Sequence, residues 1–338
     1  MHNRYQKAVD YWLMAGAVMV LLMVVIGGIT RLTQSGLSMV RWEPIIGTIP
    51  PLNEAEWFLE FEAYKASPEY QHYNSHFELD DFKKIYFWEY LHRLIGRLIG
   101  LVFLFPAVFF WIKGVFSASM KRKVIIIFFG GLFQGVLGWY MVKSGLVDKP
   151  HVSHYRLAAH LSTALALVAY IYWVAMDWKQ QKQFFVPKVR NWSITILFVL
   201  GIQIVYGAFV AGLKAGKMYN TFPKMGREWI PSELSYAFDL HGFAAIFEGG
   251  GVVQLLHRYI AYLVLGMVLY TWWIVKKHHQ VLLSSANWLL VLVSFQFLLG
   301  VFTLLWAVPV SLGVLHQLMA AFLLLAVVNI LRKSSATG

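Results

Sequence analysis

Apolar residues gather into long unbroken runs separated by short polar segments. A run of about twenty residues at a helical rise of ~1.5 Å per residue spans the hydrocarbon core of a bilayer. The pattern predicts eight spans, at 10–29, 86–112, 123–142, 155–176, 192–213, 251–275, 286–307 and 311–331. None alternates with period two, which excludes a closed β-barrel. The fold class expected is therefore an all-α, multi-pass integral membrane protein. In the polar stretch 32–85, "NEAEWFLEFEAYKAS" offers Asn53 as an N-cap with Glu56 three residues on. Trp57, Phe58, Phe61 and Tyr64 follow at helical spacing. It predicts a short amphipathic helix on the outer surface, its acids forming either a solvated face or a partner site.

Of 338 residues, 59% are hydrophobic and 14% charged, with a formal charge of +12. The location of that charge matters more than its size. With the N-terminus inside, the inner segments hold fourteen cations, among them Arg4, Lys7, Lys121, Arg122 and Lys123, against only Asp10 and Asp177. The outer segments are nearly balanced, so both termini are expected in the cytoplasm, or the matrix of a mitochondrion. No soluble basic face exists for nucleic acid. There is no cysteine, so disulfides, thiolate ligands and Cys-based iron–sulfur sites are excluded. The first span is expected to persist, because "IGGITRLTQSG" lacks an A-x-A-like cleavage site.

The two halves repeat each other. "VIGGITRLTQSG" (25–36) aligns with "VYGAFVAGLKAG" (205–216), and "LHRLIGRLIGLV" (91–102) with "LHRYIAYLVLGM" (256–267). "FQGVLG" (133–138) aligns with "FQFLLG" (295–300), and "AAHLSTA" (158–164) with "VLHQLMA" (314–320), at offsets of 180, 165, 162 and 156. An even number of spans per unit makes these parallel repeats. Two pseudo-symmetric four-helix bundles are expected, residues 1–180 with the long outer loop 32–85, and residues 181–338.

Of twelve histidines, eight fall in termini or loops; the others, His92, His160, His257 and His316, lie one in each even-numbered span. Each falls roughly 8–9 Å below the outer end of its span. The even helices of an up-down bundle are diagonal across its core, so equal-depth side chains pair as His92 with His160 and His257 with His316. Two histidines across a cavity suit the two axial positions of a haem, one haem per half. Interhelical hydrogen bonding is the plainer role for a membrane histidine, and two ligands underfill a zinc site. Gly96, Gly100, Gly135, Gly138 and Gly300 allow close approach of a macrocycle, or ordinary helix packing. Arg93, Arg97 and Arg258 are candidate propionate partners or interface anchors. Phe133 and Gln134, repeated as Phe295 and Gln296, offer an aromatic wall and a hydrogen bond, or simple core packing.

The halves differ at one chemically important position. Three residues before His92 stands Glu89; three before His257 stands Gln254. Each shares a helical face with its histidine. A buried carboxylate exchanges protons or stabilises developing positive charge, and a neutral amide does neither. Chemistry is expected in the first half and a resident electron-transfer haem in the second, unless Glu89 merely pairs with Arg93 or Arg97.

At these residues the sequence resembles the heme A synthase family. The likeness is carried by "GGITRLTQSGLSMVRWEPIIGTIPP" (27–51), "FWEYLHRLIGR" (87–97), "FVAGLKAG" with "YNTFPKMG" (219–226), and the histidines of spans four, six and eight. The long first outer loop is similar to that of the mitochondrial branch. The resemblance implies oxidation of a ring methyl of haem O to a formyl group by successive hydroxylations, giving haem A for cytochrome oxidase. It implies His92 and His160 on the substrate haem, Glu89 as the catalytic acid, and a prosthetic haem b on His257 and His316. It further implies a bacterial cell membrane or mitochondrial inner membrane, supply by a haem O synthase, an electron donor, and a possible homo-oligomer. Some members carry paired cysteines in outer loops; this chain has none, so no role of that pair applies. A dihaem b-type electron-transfer subunit and a haem carrier are the rival readings.

Overall fold

The structure, a computed structural model, describes residues 2–40, 46–145 and 152–336. Among these, eleven α-helices carry the fold: α1 (His2–Leu32), α2 (Glu54–Lys65), α3 (Leu79–Ile112), α4 (Ala118–Gly145), α5 (His154–Trp178), α6 (Pro187–Gly212), α7 (Leu234–His241), α8 (Ala245–Glu248), α9 (Gly250–His278), α10 (Leu283–Leu305) and α11 (Val310–Lys333). Eight of them, all but α2, α7 and α8, are long and apolar enough to cross a membrane. Each corresponds to one predicted span, and the chain is an all-α, multi-pass membrane protein. Part of the motif at 27–51, residues 41–45 with Trp42 and Glu43, lies outside the described residues.

Helix ends overrun the apolar runs. α3 begins at Leu79, well before the expected start at 86. Its polar first turns are braced by Asp80–Lys83 and Asp81–Lys84 pairs, favourable at i, i+3 spacing. Hydropathy reports where a helix needs lipid; backbone hydrogen bonding continues beyond it. The expected helix of the first loop forms as α2. Asn53 caps it by accepting from Glu56 N–H at 3.0 Å, and Leu52 N–H donates back to Glu56 Oε2 at 2.7 Å. Phe61 and Tyr64 bury against Phe82, Ile85 and Tyr86 of the protruding part of α3, together with Met39. The loop is thus a packed cap on the helices. The second large loop, between α6 and α9, contains α7 and α8, which hydropathy did not foretell because both are too short to form an apolar run of membrane length.

Helix neighbours follow one pattern twice. α1 packs on α3 and α5, and α4 touches both of the latter; α6 packs on α9 and α11, and α10 touches both of those. The two sets join through α5 with α6 and α1 with α11, while α5 also meets α11. The histidine-bearing α3 and α5 are therefore diagonal, as are α9 and α11. α1 and α6 also end alike: Gln34 and Lys214, aligned by the repeat, both take left-handed backbone, with φ of 54° and 55°. At this loop-bearing end Arg31 donates to the Ala211 and Gly212 carbonyls at 3.2 and 3.0 Å, capping α6, and Lys214 donates to Gln34 Oε1 at 3.3 Å. A cation on exposed C-terminal carbonyls also opposes the negative end of the helix dipole.

The opposite end is tied by charge and by backbone. Asp177 receives Lys123 at 2.5 Å and Arg332 at 2.6 Å, joining α4, α5 and α11. Arg332 is buried. Residues 184–186, between α5 and α6, pair with the end of α11 and the residues after it: Phe184 N–H donates to Lys333 O at 2.7 Å, and Ala336 N–H to Phe184 O at 3.2 Å. Large apolar side chains facing outward along α4, such as Ile126, Phe129, Leu132 and Val136, form a lipid-compatible face.

Candidate functional site

A cavity of about 1410 Å³ runs through the membrane helices near their loop-bearing ends. It exceeds the ~300–1,000 Å³ of common small-molecule pockets. All eight candidate residues, Glu89, His92, Arg93, Arg97, His160, His257, Arg258 and His316, line it. The two sites expected in separate halves share one continuous space.

Each imidazole lies against a glycine of the preceding membrane helix. A Cβ at Gly27 would stand 3.3 Å from His92 Nε2, at Gly138 3.6 Å from His160 Cε1, at Gly207 3.1 Å from His257 Cε1, and at Gly300 2.8 Å from His316 Cε1. Gly27 aligns with Gly207 and Gly138 with Gly300, so the repeat keeps the seat together with the ring. Gly27 and Gly207 were visible only as small residues closing a span; their purpose required the neighbouring helix. Gly100 is not part of the cavity wall, whereas Gly96 and Gly135 are.

The glutamines of the "FQ" pairs face the histidines. The Gln134 carboxamide sits 2.6 Å from the Thr163 hydroxyl and 3.2 Å from His160 Nδ1. Gln296 Nε2 lies 3.5 Å from His316 Nε2. The aromatic wall fails: Phe133 and Phe295 are 50% and 48% exposed on the outer helix faces. Each step along a helix rotates the side chain by about 100°, so with Gln facing inward the adjacent Phe points elsewhere.

Glu89 is buried and fully engaged. Arg93 donates to its Oε1 at 2.6 Å, and the Ser38 hydroxyl and Met39 N–H donate to its Oε2 at 2.8 Å each. Arg93 also donates to the Met39 carbonyl at 3.0 Å. The pairing with Arg93 weighed from the sequence is therefore present, and Glu89 lines the cavity as well. In the second half Arg258 and Gln254 donate to the Tyr219 carbonyl, at 2.6 and 3.1 Å, and Arg258 to Thr221 O at 2.8 Å. Met39 and Tyr219 are related by the same offset of 180 that aligns α1 with α6. The same backbone point is clamped twice, once by an ion pair and once by an arginine with a neutral amide.

Two further groups reach the cavity unforeseen. His154, counted from the sequence as a loop histidine, is the first residue of α5. Its ring packs on Tyr155 and Phe209, and Nε2 lies 3.7 Å from Glu248 of α8. Glu69, in the first loop, is buried in the cavity wall, where Tyr64 donates to it at 3.2 Å and Asn74 donates to Tyr64 at 2.8 Å. Burial pushes the Glu69 carboxyl up to about 7, against the opposing pull of the Tyr64 hydroxyl. Neither residue belongs to an apolar run, which is why span-based reading passed over both.

Donor chemistry suits a two-ligand group. Among the described residues no three His, Cys, Asp or Glu side chains converge as an ion site, which disfavours zinc. The His257 and His316 rings stand 6.5 Å apart, centroid to centroid. That leaves room for one metal atom bonded to each ring at ~2 Å. Their buried Nδ1 atoms have no hydrogen-bond partner among the described residues, and Gln296 stands 3.5 Å from His316 Nε2; the facing pair fits axial ligation of a haem.

Over residues 10–328 the chain matches the family described as cytochrome oxidase assembly protein. It is similar to the heme A synthase of Flavobacterium psychrophilum, 48% identical over 326 residues covering 95% of this chain and 96% of the relative. The heme A synthase of Flavobacterium johnsoniae is 46% identical, covering 98% and 99%. That of Parvibaculum lavamentivorans is 43% identical, covering 92% and 89%. Likeness of this depth along nearly the whole chain, arriving at a cavity walled by four seated histidines, places this protein in the heme A synthase family.

Proposed function

We propose that the chain is a heme A synthase that converts a ring methyl of haem O into a formyl group by two successive hydroxylations of the same carbon. Residues 1–180 would hold the substrate between His92 and His160, and residues 181–338 a prosthetic haem b between His257 and His316. Bound there, haem b supplies one-electron redox chemistry. The carrying observation is the difference between the two clamps: Glu89 with Arg93 on Met39, Gln254 with Arg258 on Tyr219.

A carboxylate that already receives three hydrogen bonds need not reorganise to stabilise positive charge developing at a neighbouring carbon. Glu89 is assigned that role, with Ser38, Met39 N–H and Arg93 holding it in place. Arg93 and Arg258 keep guanidinium nitrogens on loop carbonyls, so they position the cavity mouth as well as offering charge to propionates; Arg97 is the remaining propionate candidate. The Gln134 carboxamide, whose NH2 in its hydrogen-bonded orientation donates to His160 O and Nδ1 at 3.1 and 3.2 Å while its oxygen accepts from Thr163, would hold that ring in place. The cation distribution supports cytoplasmic termini and an outward-facing cavity mouth. A haem O synthase as supplier, a separate electron donor and an oxygen source for each hydroxylation, with loss of water from the resulting diol to leave the formyl group, complete the scheme.

Extraction of haems from the purified protein, with identification by mass, tests this. Haem b together with haem O or haem A is expected, and Glu89→Gln should retain both haems while haem O accumulates over haem A. Haem b alone at both sites would instead make the protein a dihaem electron carrier.

A further inference from the structure

The halves differ again along the track that leads from the histidines toward the bilayer midplane. On α3, Gly96 and Gly100 continue the helical face of His92; on α4, Gly135 and Gly131 continue that of Gly138. All four are exposed, and a Cβ at Gly100, Gly131 or Gly135 would meet nothing within 4 Å. α3 and α4 share only a thin seam here, whereas α9 and α10 pack closely. The open track runs about 10 Å along α4 from Gly138 to Gly131, both in the cavity wall, at ~1.5 Å per residue; Gly100 lies beyond that wall.

In the second half the same track is filled. The aligned residues are Ala261, Leu265, Phe297 and Val293; Val293 is buried and Leu265 packs on the main core. Phe297 meets Tyr262 at 5.3 Å and Phe222 at 6.1 Å, and Phe222 stacks on Tyr262 at 6.4 Å. Tyr262 itself stands where the first half has Arg97. This aromatic cluster occupies the seam between α9 and α10 and borders the same cavity that the open track of the first half borders.

We infer that these aligned positions decide which haem each half accepts: the plug of Phe297, Tyr262 and Phe222, with Leu265, admits only a haem without a tail, and the open track beside His92 receives the isoprenoid tail of haem O. This rests on the function proposed above and names its specificity determinants. An apolar chain emerging at histidine depth requires an apolar channel toward the bilayer centre, and only one half provides it. Filling the channel excludes the tail sterically, because packed interiors do not absorb extra volume without cost.

The test measures haems per polypeptide by extraction and mass, in full-length protein made in cells that supply both haem b and haem O. Gly135→Phe, the residue found at the aligned position, should keep haem b near the wild-type ratio and lower haem O plus haem A at least tenfold. Val136→Phe, which adds the same ring one residue on at the lipid-compatible outer face of α4, should change neither and controls for folding. Conversely, Phe297→Gly with Leu265→Gly, in a His92→Ala/His160→Ala background that removes the first site, should carry haem O where the background alone carries haem b. Undiminished haem O and haem A in Gly135→Phe, or haem b alone in the opened second half, would overturn the inference. Wild-type protein lacking any tailed haem would instead overturn the functional reading on which it stands.

Discussion

Gly300 and Gly138 occupy aligned positions beside aligned histidines, yet the same substitution should act differently at each. In Gly300→Ala the new Cβ lies 2.8 Å from His316 Cε1, closer than real side chains tolerate, so the imidazole must move. In Gly138→Ala the corresponding contact with His160 is 3.6 Å, an ordinary van der Waals distance. Overpacking of this kind costs about 1–3 kcal/mol. Since the displaced group is the expected ligand, that cost falls on haem b retention and corresponds to roughly 5- to 150-fold weaker holding. The assay is haem b per polypeptide through a dilution series in detergent, read from the pigment's absorption and confirmed by mass. Gly300→Ala should lose haem b while its helical content is unchanged, and Gly138→Ala should leave all haem levels near those of the wild type. Equal retention in the two variants would refute the reasoning, since the seat at Gly300 would then not fix His316.

The other expectations are equally direct. Glu69 has a folded pKa of about 7 against 4.5 for an unperturbed carboxyl, so its contribution to stability is full below about pH 4.5 and lost as pH rises through about 7. The loss is about 3 kcal/mol; thermal unfolding across this window should flatten in Glu69→Gln, and an unchanged slope would exclude Glu69 as its source. Asp177→Ala should cost about 2 kcal/mol, between the values for exposed and buried pairs, because it leaves Arg332 buried without its carboxylate. Adding Arg332→Met should restore part of the lost melting temperature. Ser38→Ala removes one of the two donors on Glu89 Oε2. It should slow haem A formation while haem O remains bound, and faster loss of haem O than of turnover would point to a binding role instead.

Much of this molecule could be read from residue order. Eight apolar runs became eight membrane helices, and the register of four histidines placed all of them on one cavity, because both signals are periodic and local. What escaped depended on neighbours distant in sequence. Gly207 reads as a small residue until His257, fifty residues on, is seen to need the space of its missing side chain. His154 precedes the apolar run of its helix and so reads as loop, although the helix begins with it. α3 outruns its hydropathy because paired charges at i, i+3 sustain helix where lipid no longer does. Phe133 was read as an aromatic wall beside the hydrogen bond of Gln134, and a helix does not turn adjacent residues the same way.

Arg31 sits where the ends of α1 and α6 meet, and the position aligned with it is Ala211, whose carbonyl it holds. Two identical chains meeting in this manner would be obliged to set arginine beside arginine, and at the next contact glutamine beside glutamine or lysine beside lysine, in place of the Lys214–Gln34 pair. Joining the repeats in one polypeptide lifts that obligation. Each half can then mutate its side of the junction alone, and the contact becomes a lock with a single orientation, able to tell the first unit from the second during assembly.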